Sequence, residues 1–309
     1  MSFPGRRIAL IGAPSSIGIR PYDESGLVRE MYRAPAIFRD LDLPQRIGAA
    51  DDGDVLPPPY VDFDRPPGRA RNESGVESYS RALAALISAA TARGDFVVLI
   101  GGECSIVLGA LLGARRGSQG DVGLVYVDGH ADFATPSESV TGSVASMCLA
   151  LAVGRGDSPL ARLSSDGALV RGEDVVLIGR RDDADARLYG EDVLRETGVL
   201  DLTAAEVTQH GVDMAARTAL ARLARPGLAG FWVHLDADVL DPTVMPAVDS
   251  PDPGGLSLET VTELLRPLVR HPRALGIELT IYDPGLDPGG SCARRLAALL
   301  EHVLVGGDT

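Results

Sequence analysis

Six short apolar runs recur along this chain: IALIG from residue 8, FVVLI from 96, VGLVYVD from 122, DVVLIG from 174, FWVHLDAD from 231 and LGIELTI from 275. Apart from FWVHLDAD they are nearly unbroken by polar residues. That is what parallel strands covered on both faces require, since neither face meets water. Between them lie segments with helical spacing: SYSRALAALISAATARG (78–94), IVLGALLGARRG (106–117), MAARTALARLARPG (214–227) and LETVTELLRPLVRHP (258–272), the last followed by a proline. Strand alternating with helix predicts one α/β domain over residues 1–309, with a sheet covered on both sides. The stretch from about 45 to 76 is rich in Pro, Asp and Gly and has no periodicity. It reads as a long surface excursion, because no break in composition separates its two sides.

A chain of 309 residues, 45% of them hydrophobic, can bury a sizeable core. Its net charge of −14 repels phosphate backbones and anionic membrane surfaces, so neither nucleic acid nor membrane is expected as a partner. No apolar run approaches the roughly 20 residues that span a bilayer. The opening MSFPGRRIALIGAP reads as a strand and turn with no signal-peptide pattern. Cys104, Cys148 and Cys292 are odd in number and widely spaced, which is no disulfide framework. A reduced, cytoplasmic protein is expected.

In an open α/β sheet, ligands bind beyond the carboxyl ends of the strands. Three of the runs end in chemistry-bearing residues: GGECS at 101–105, VDGHAD at 127–132 and HLDADVLDP at 234–242. Spacing by two puts Asp128, His130 and Asp132 on one side wherever the chain stays extended, and likewise His234, Asp236 and Asp238. Taken singly, DxHxD is also compatible with a turn and a helix cap, and DxDxxDP with a solvated loop. Together, at the ends of separate strands, four carboxylates would repel one another unless cations neutralise them. The donor set is too large for one ion and points to a pair with bridging carboxylates. Mixed carboxylate and imidazole donors suit manganese, whereas zinc usually takes more nitrogen or sulfur. Such a pair lowers the pKa of a water between the ions and presents hydroxide to an electrophilic carbon.

IALIGAPSSIG, APAIFRDLDL, VDGHADFATP, LDADVLDP and PAVDSPDPGGLS resemble, in this order, motifs of the arginase–agmatinase (ureohydrolase) family. The resemblance implies a three-layer α/β/α sandwich with a mostly parallel sheet, two Mn²⁺ ions, and hydrolysis of a guanidino carbon by a homo-oligomer, a trimer or hexamer. It implies that Asp128 and Asp236 bridge both ions. Asp132 would complete the first ion's shell and hold the hydroxide, and His130 and Asp238 would complete the second shell. The family's remaining first-shell histidine falls at Cys104. Its proton-shuttling histidine falls at Ala145, its guanidinium-gripping glutamate at Ile281, and an asparagine that contacts substrate at Ala134. Ser139 and Thr141 remain as hydroxyl contacts. The Arg180–Asp183 run lies near where arginases contact the substrate's amino group, which makes Asp183, Asp182 or Asp185 a substrate contact; the run reads equally as surface charge.

Cys104 reads either as a thiolate ligand that moves preference towards iron, cobalt or zinc, or as a neutral buried thiol; its place in the motif favours the ligand. Cys148 and Cys292 read as core. His234 is either a hydrogen-bonded core residue or, given Ala145, a supplier of proton transfer near the site. Glu278, three residues before Ile281, should face away from the position of the missing glutamate. Asp241 reads as a turn residue, and Ser105 as the cap of the following helix. The expected activity is hydrolysis of a C–N bond in a guanidino, hydroxyguanidino or amidine-type small molecule. The alternative is a silent family member with a structural or regulatory role.

Overall fold

In the computed structural model, which describes residues 5–306 apart from 24, 63 and 183–190, the expected runs become strands of one sheet. Its strands are β1 (Ile8–Ala13), β2 (Ala49–Asp54), β3 (Phe96–Gly101), β4 (Val122–Val127), β5 (Val175–Ile178), β6 (Leu200–Leu202), β7 (Gly230–Asp236) and β8 (Ala274–Thr280). They pair in the order β2-β1-β3-β8-β7-β4-β5-β6, and every pairing is parallel. The four helical segments appear as α1 (Glu73–Ala92), α2 (Ile106–Ser118), α3 (Val212–Leu223) and α4 (Leu258–Val269), with α5 (Ser291–Leu304) closing the chain. Helices α1 and α2 pack on each other, while α3, α4 and α5 pack in series. The layers bury β1, β3, β4, β5, β7 and β8 along their whole lengths, a three-layer α/β/α sandwich.

Two strands lie outside the apolar runs, and they are the two edges of the sheet. β2, AADDGD, falls inside the stretch read as a surface excursion. It is half-exposed, and its acids pair with arginines: Arg39 with Asp51 and Asp54, Arg7 and Arg93 with Asp52. An edge strand has solvent on one side and needs no apolar run, so apolar patterning does not reveal it. β6 is only three residues long.

The order of strands decides where the site forms. β3, β8, β7 and β4 are consecutive in space though far apart in sequence. GGECS, Ile281, Asp236–Asp238 and Asp128–Asp132 therefore leave the sheet side by side, at its centre.

Candidate metal centre

Register sets the site's floor. Tyr126 on β4 pairs with His234 on β7, which pairs with Glu278 on β8. Paired residues share a face, so these three side chains form a row across the sheet. Two positions on, Asp236 pairs with Thr280, and Asp128 lies beyond the end of β4.

One donor atom from each of Cys104, Asp128, His234 and Asp236 falls within 4.8 Å of the others, and so does one from each of Asp128, His130 and Asp238. Asp128 belongs to both groups. Cys104 Sγ lies 2.9 Å from Asp236 Oδ2 and 3.7 Å from Thr280 Oγ1. His130 Nδ1 lies 3.0 Å from Asp238 Oδ2 and 3.7 Å from Asp128 Oδ1, while its Nε2 meets Asp252 at 3.2 Å. Asp132 stands apart from both groups: its Oδ2 accepts a 2.6 Å hydrogen bond from Tyr126 Oη.

The spacing by two works differently from the extended chain expected. β4 stops at Val127, Asp132 adopts φ of 47°, and a 3₁₀ turn follows Asp236. The aspartates make these turns themselves. Asp128 Oδ1 accepts from His130 N at 2.6 Å, and Asp236 Oδ1 from Asp238 N at 2.8 Å. An aspartate that bonds the amide two residues on closes a local turn and is held by it.

The electrostatics are those of a site short of positive charge. Burial, then the charge of Asp238, pushes Asp128 up to about 6. Burial followed by Asp238 and Asp128 holds Asp236 well above the usual aspartate range, and burial followed by Asp128 does the same to Asp132. Burial, then Asp236, raises the Cys104 thiol. Burial opposes charge on His130, but the carboxylates of Asp238 and Asp128 outweigh it and raise the imidazole. Asp128 Oδ2 and His234 Nε2, both buried, have no hydrogen-bond partner and stand 3.9 Å apart. Two orphaned acceptors among thiol and carboxylate donors are the chemistry a divalent ion satisfies, so the residues present fit a metal.

A cavity of about 590 Å³ opens over these groups. Cys104, Asp128, His130, Asp132, Asp236 and Asp238 line it, and so do Ser139, Thr141, Ala134, Ala145 and Ile281. Ser139 Oγ accepts from Gly142 N at 3.0 Å, and Thr141 is exposed at the mouth. Asp182 also lines the cavity, but its Oδ2 accepts from Ala131 N at 2.9 Å. Asp183 and Asp185 lie outside the described residues. His234 is fully buried beneath the cavity and is not part of its lining. Glu278 reaches His234 Nδ1 at 2.6 Å and does not enter the cavity either. Asp241 accepts from Thr243 and Gly254, a turn residue. Cys148 and Cys292 are buried in helices. Ser105 does precede α2, but its side chain does not cap it; Oγ donates to Glu103 Oε1 at 2.7 Å instead.

Tyr126 and the cavity-lining Arg20, Arg29 and Asp252 are functional candidates that sequence reading missed, and so is the place of Glu278 beside His234. Tyr126 lies two before Asp128 as His234 lies two before Asp236, a parity that could have flagged it. Glu278 needed the β7–β8 register.

The family model described as "Arginase family" matches residues 6–306. The arginase of Bacillus caldovelox is 29% identical over 237 residues, covering 76% of this chain and 77% of that protein. Its native structure superposes with a TM-score of 0.84 at 25% identity, over 98% of this chain and 99% of the other. The proclavaminate amidino hydrolase of Streptomyces clavuligerus shares the fold, with a TM-score of 0.68 at 22% identity over 98% and 94% of the two chains.

Proposed function

The chain belongs to the arginase family, and we propose on that premise that it is a dinuclear metal-dependent hydrolase of a C–N bond in a guanidino, hydroxyguanidino or amidine-type small molecule. The observation that carries this reading is the convergence of two donor groups sharing Asp128 beneath one cavity, with buried acceptors left unpartnered. Cys104, Asp128 and Asp236 would hold a first ion, and Asp128, His130 and Asp238 a second; Asp132, outside both groups, is assigned to the first ion on the family resemblance alone. When bound, the ions supply a hydroxide nucleophile at neutral pH and polarise the planar carbon. They are assigned as divalent, manganese first as the family's ion, with iron, cobalt or zinc the alternatives that a Cys104 thiolate opens at the first position.

The protein's own groups do the rest. Asp132, steadied by Tyr126 Oη, faces the cavity as the group that accepts a hydrogen bond from the nucleophile and takes up its proton. Ser139 and Thr141 offer hydroxyls to the substrate's far end, and Asp183 is assigned a contact with its amino group. Ile281 and Ala145 put apolar surface where a guanidinium and a shuttle would need polar partners. The preferred substrate is therefore a less basic planar group whose leaving group needs little protonation. Homo-oligomeric assembly, as trimer or hexamer, and a cytoplasmic setting rest on family membership. Among the described residues no helix is long and apolar enough to cross a membrane.

The test is a product screen. The chain loaded with Mn²⁺, Co²⁺, Fe²⁺ or Zn²⁺ is offered guanidino, hydroxyguanidino and amidine compounds, and urea, hydroxyurea, ammonia and formamide are measured. At least one pair should turn over, and a chelator should abolish it. A metal-loaded chain silent across the panel would favour the structural role.

A further inference from the structure

GGECS lacks the imidazole at the position where its family resemblance implies one, and the structure holds an imidazole in reach from another strand. We propose that His234 Nε2 ligates the first ion, with Glu278 as the residue that aims it. The assignment rests on the dinuclear reading above and differs from the proton-transfer role that the sequence raised for His234.

Three observations point the same way. His234 is fully buried, yet its Nε2 has no partner, and it belongs to the group of donors with Cys104, Asp128 and Asp236. A histidine kept only for packing would leave a polar atom unsatisfied in the core, which is costly. Its other nitrogen is taken: Nδ1 lies 2.6 Å from Glu278 Oε1. A metal at Nε2 requires the ring proton on Nδ1, and Glu278 Oε1 stands where it would accept that proton's hydrogen bond. The ring is also held in plane, stacked on Tyr126 at 4.1 Å between centroids and 10° between planes.

The second donor group repeats the arrangement. His130 turns Nδ1 to Asp238 and its far nitrogen, Nε2, to the Asp252 carboxylate. A carboxylate behind a histidine orients a metal ligand and raises its basicity. Here each donor group has one such pair, Glu278–His234 and Asp252–His130. The imidazole missing at Cys104 has thus moved from the turn after β3 to β7. The first position then carries thiolate, imidazole and carboxylate together, a set that favours zinc, cobalt or iron over manganese.

Cobalt(II) is the probe, because its visible spectrum reports ligand type and geometry. Wild type, Glu278→Gln and the double variant His234→Leu/Glu278→Leu are titrated with Co²⁺, with stoichiometry read by native mass spectrometry and circular dichroism confirming the fold. Replacing both partners of a buried pair by apolar residues is often neutral for folding, whereas removing one strands the other. Wild type should bind two ions. The double variant should keep one and bind the first-position ion at least about tenfold more weakly, with a changed cobalt spectrum. Glu278→Gln should keep both but weaken the first by about 10–100-fold. Two ions with unchanged affinity and spectrum in the double variant would overturn the assignment while leaving the dinuclear reading intact. A wild-type chain that binds no Co²⁺ would overturn both.

Discussion

Ile281 is a β-branched residue at φ of 65°, a conformation that costs such side chains of order 1–3 kcal/mol. It is held there because its N–H donates to Gly102 O at 2.7 Å, tying the end of β8 to the GGECS turn. The side chain lines the cavity. Ile281→Glu would put a carboxylate at that wall without worsening the backbone, since glutamate is not β-branched. Cationic guanidino compounds should then gain at least about tenfold in kcat/KM relative to less basic amidines, the scale of one favourable charge contact. Unchanged ratios would place substrate recognition elsewhere in the cavity. At this scale the sequence was largely legible. Cys104, Asp128, His130, Asp236 and Asp238 all line one cavity, at the strand ends where their motifs lie. The partner of His234 was not, because no local pattern encodes which residue of β8 stands beside it.

At the scale of elements, the turn between β3 and α2 is built from within and from across. A Cβ at Gly102 would lie 1.5 Å from Ser15 O, so only glycine lets the two loops touch. Glu103, fully buried, gathers the rest. It accepts from Gly18 N at 3.1 Å, Ser15 Oγ at 3.2 Å, Ser105 N at 2.9 Å and Ser105 Oγ at 2.7 Å. These bonds set the height at which Cys104 sits. Glu103→Ala would strand several buried donors, and we expect a loss of about 2–4 kcal/mol in chemical denaturation together with weaker metal binding. A loss below about 1 kcal/mol would show that the turn is held by packing alone. The edge strands β2 and β6 mark the limit of pattern reading here. One is polar and the other is short, so apolar periodicity carried no trace of either.

At the scale of the whole molecule, parallel order brings four strand ends together and concentrates acid at one point of an already acidic chain. Burial and the neighbouring carboxylates raise the pKa values of Asp128, Asp132 and Asp236. A carboxyl whose folded pKa lies above its unfolded value costs stability as pH rises, starting near pH 4 and complete once the folded value is passed. For Asp128 that window ends at about 6. Near neutral pH these carboxyls therefore cost the fold stability, a cost that divalent ions held among them would offset while displacing their protons. The layered fold and its central site follow from strand runs and strand-end motifs that any reader of the sequence can find. The depth of that penalty depends on burial, which only the assembled sheet shows. Native mass spectrometry near pH 8 of the folded chain, supplied with Mn²⁺, Co²⁺ or Zn²⁺, tests the central claim most directly. The account predicts two divalent ions per chain, falling to one or none in Asp236→Asn; a wild-type chain that holds none, or a count untouched by that substitution, would contradict it.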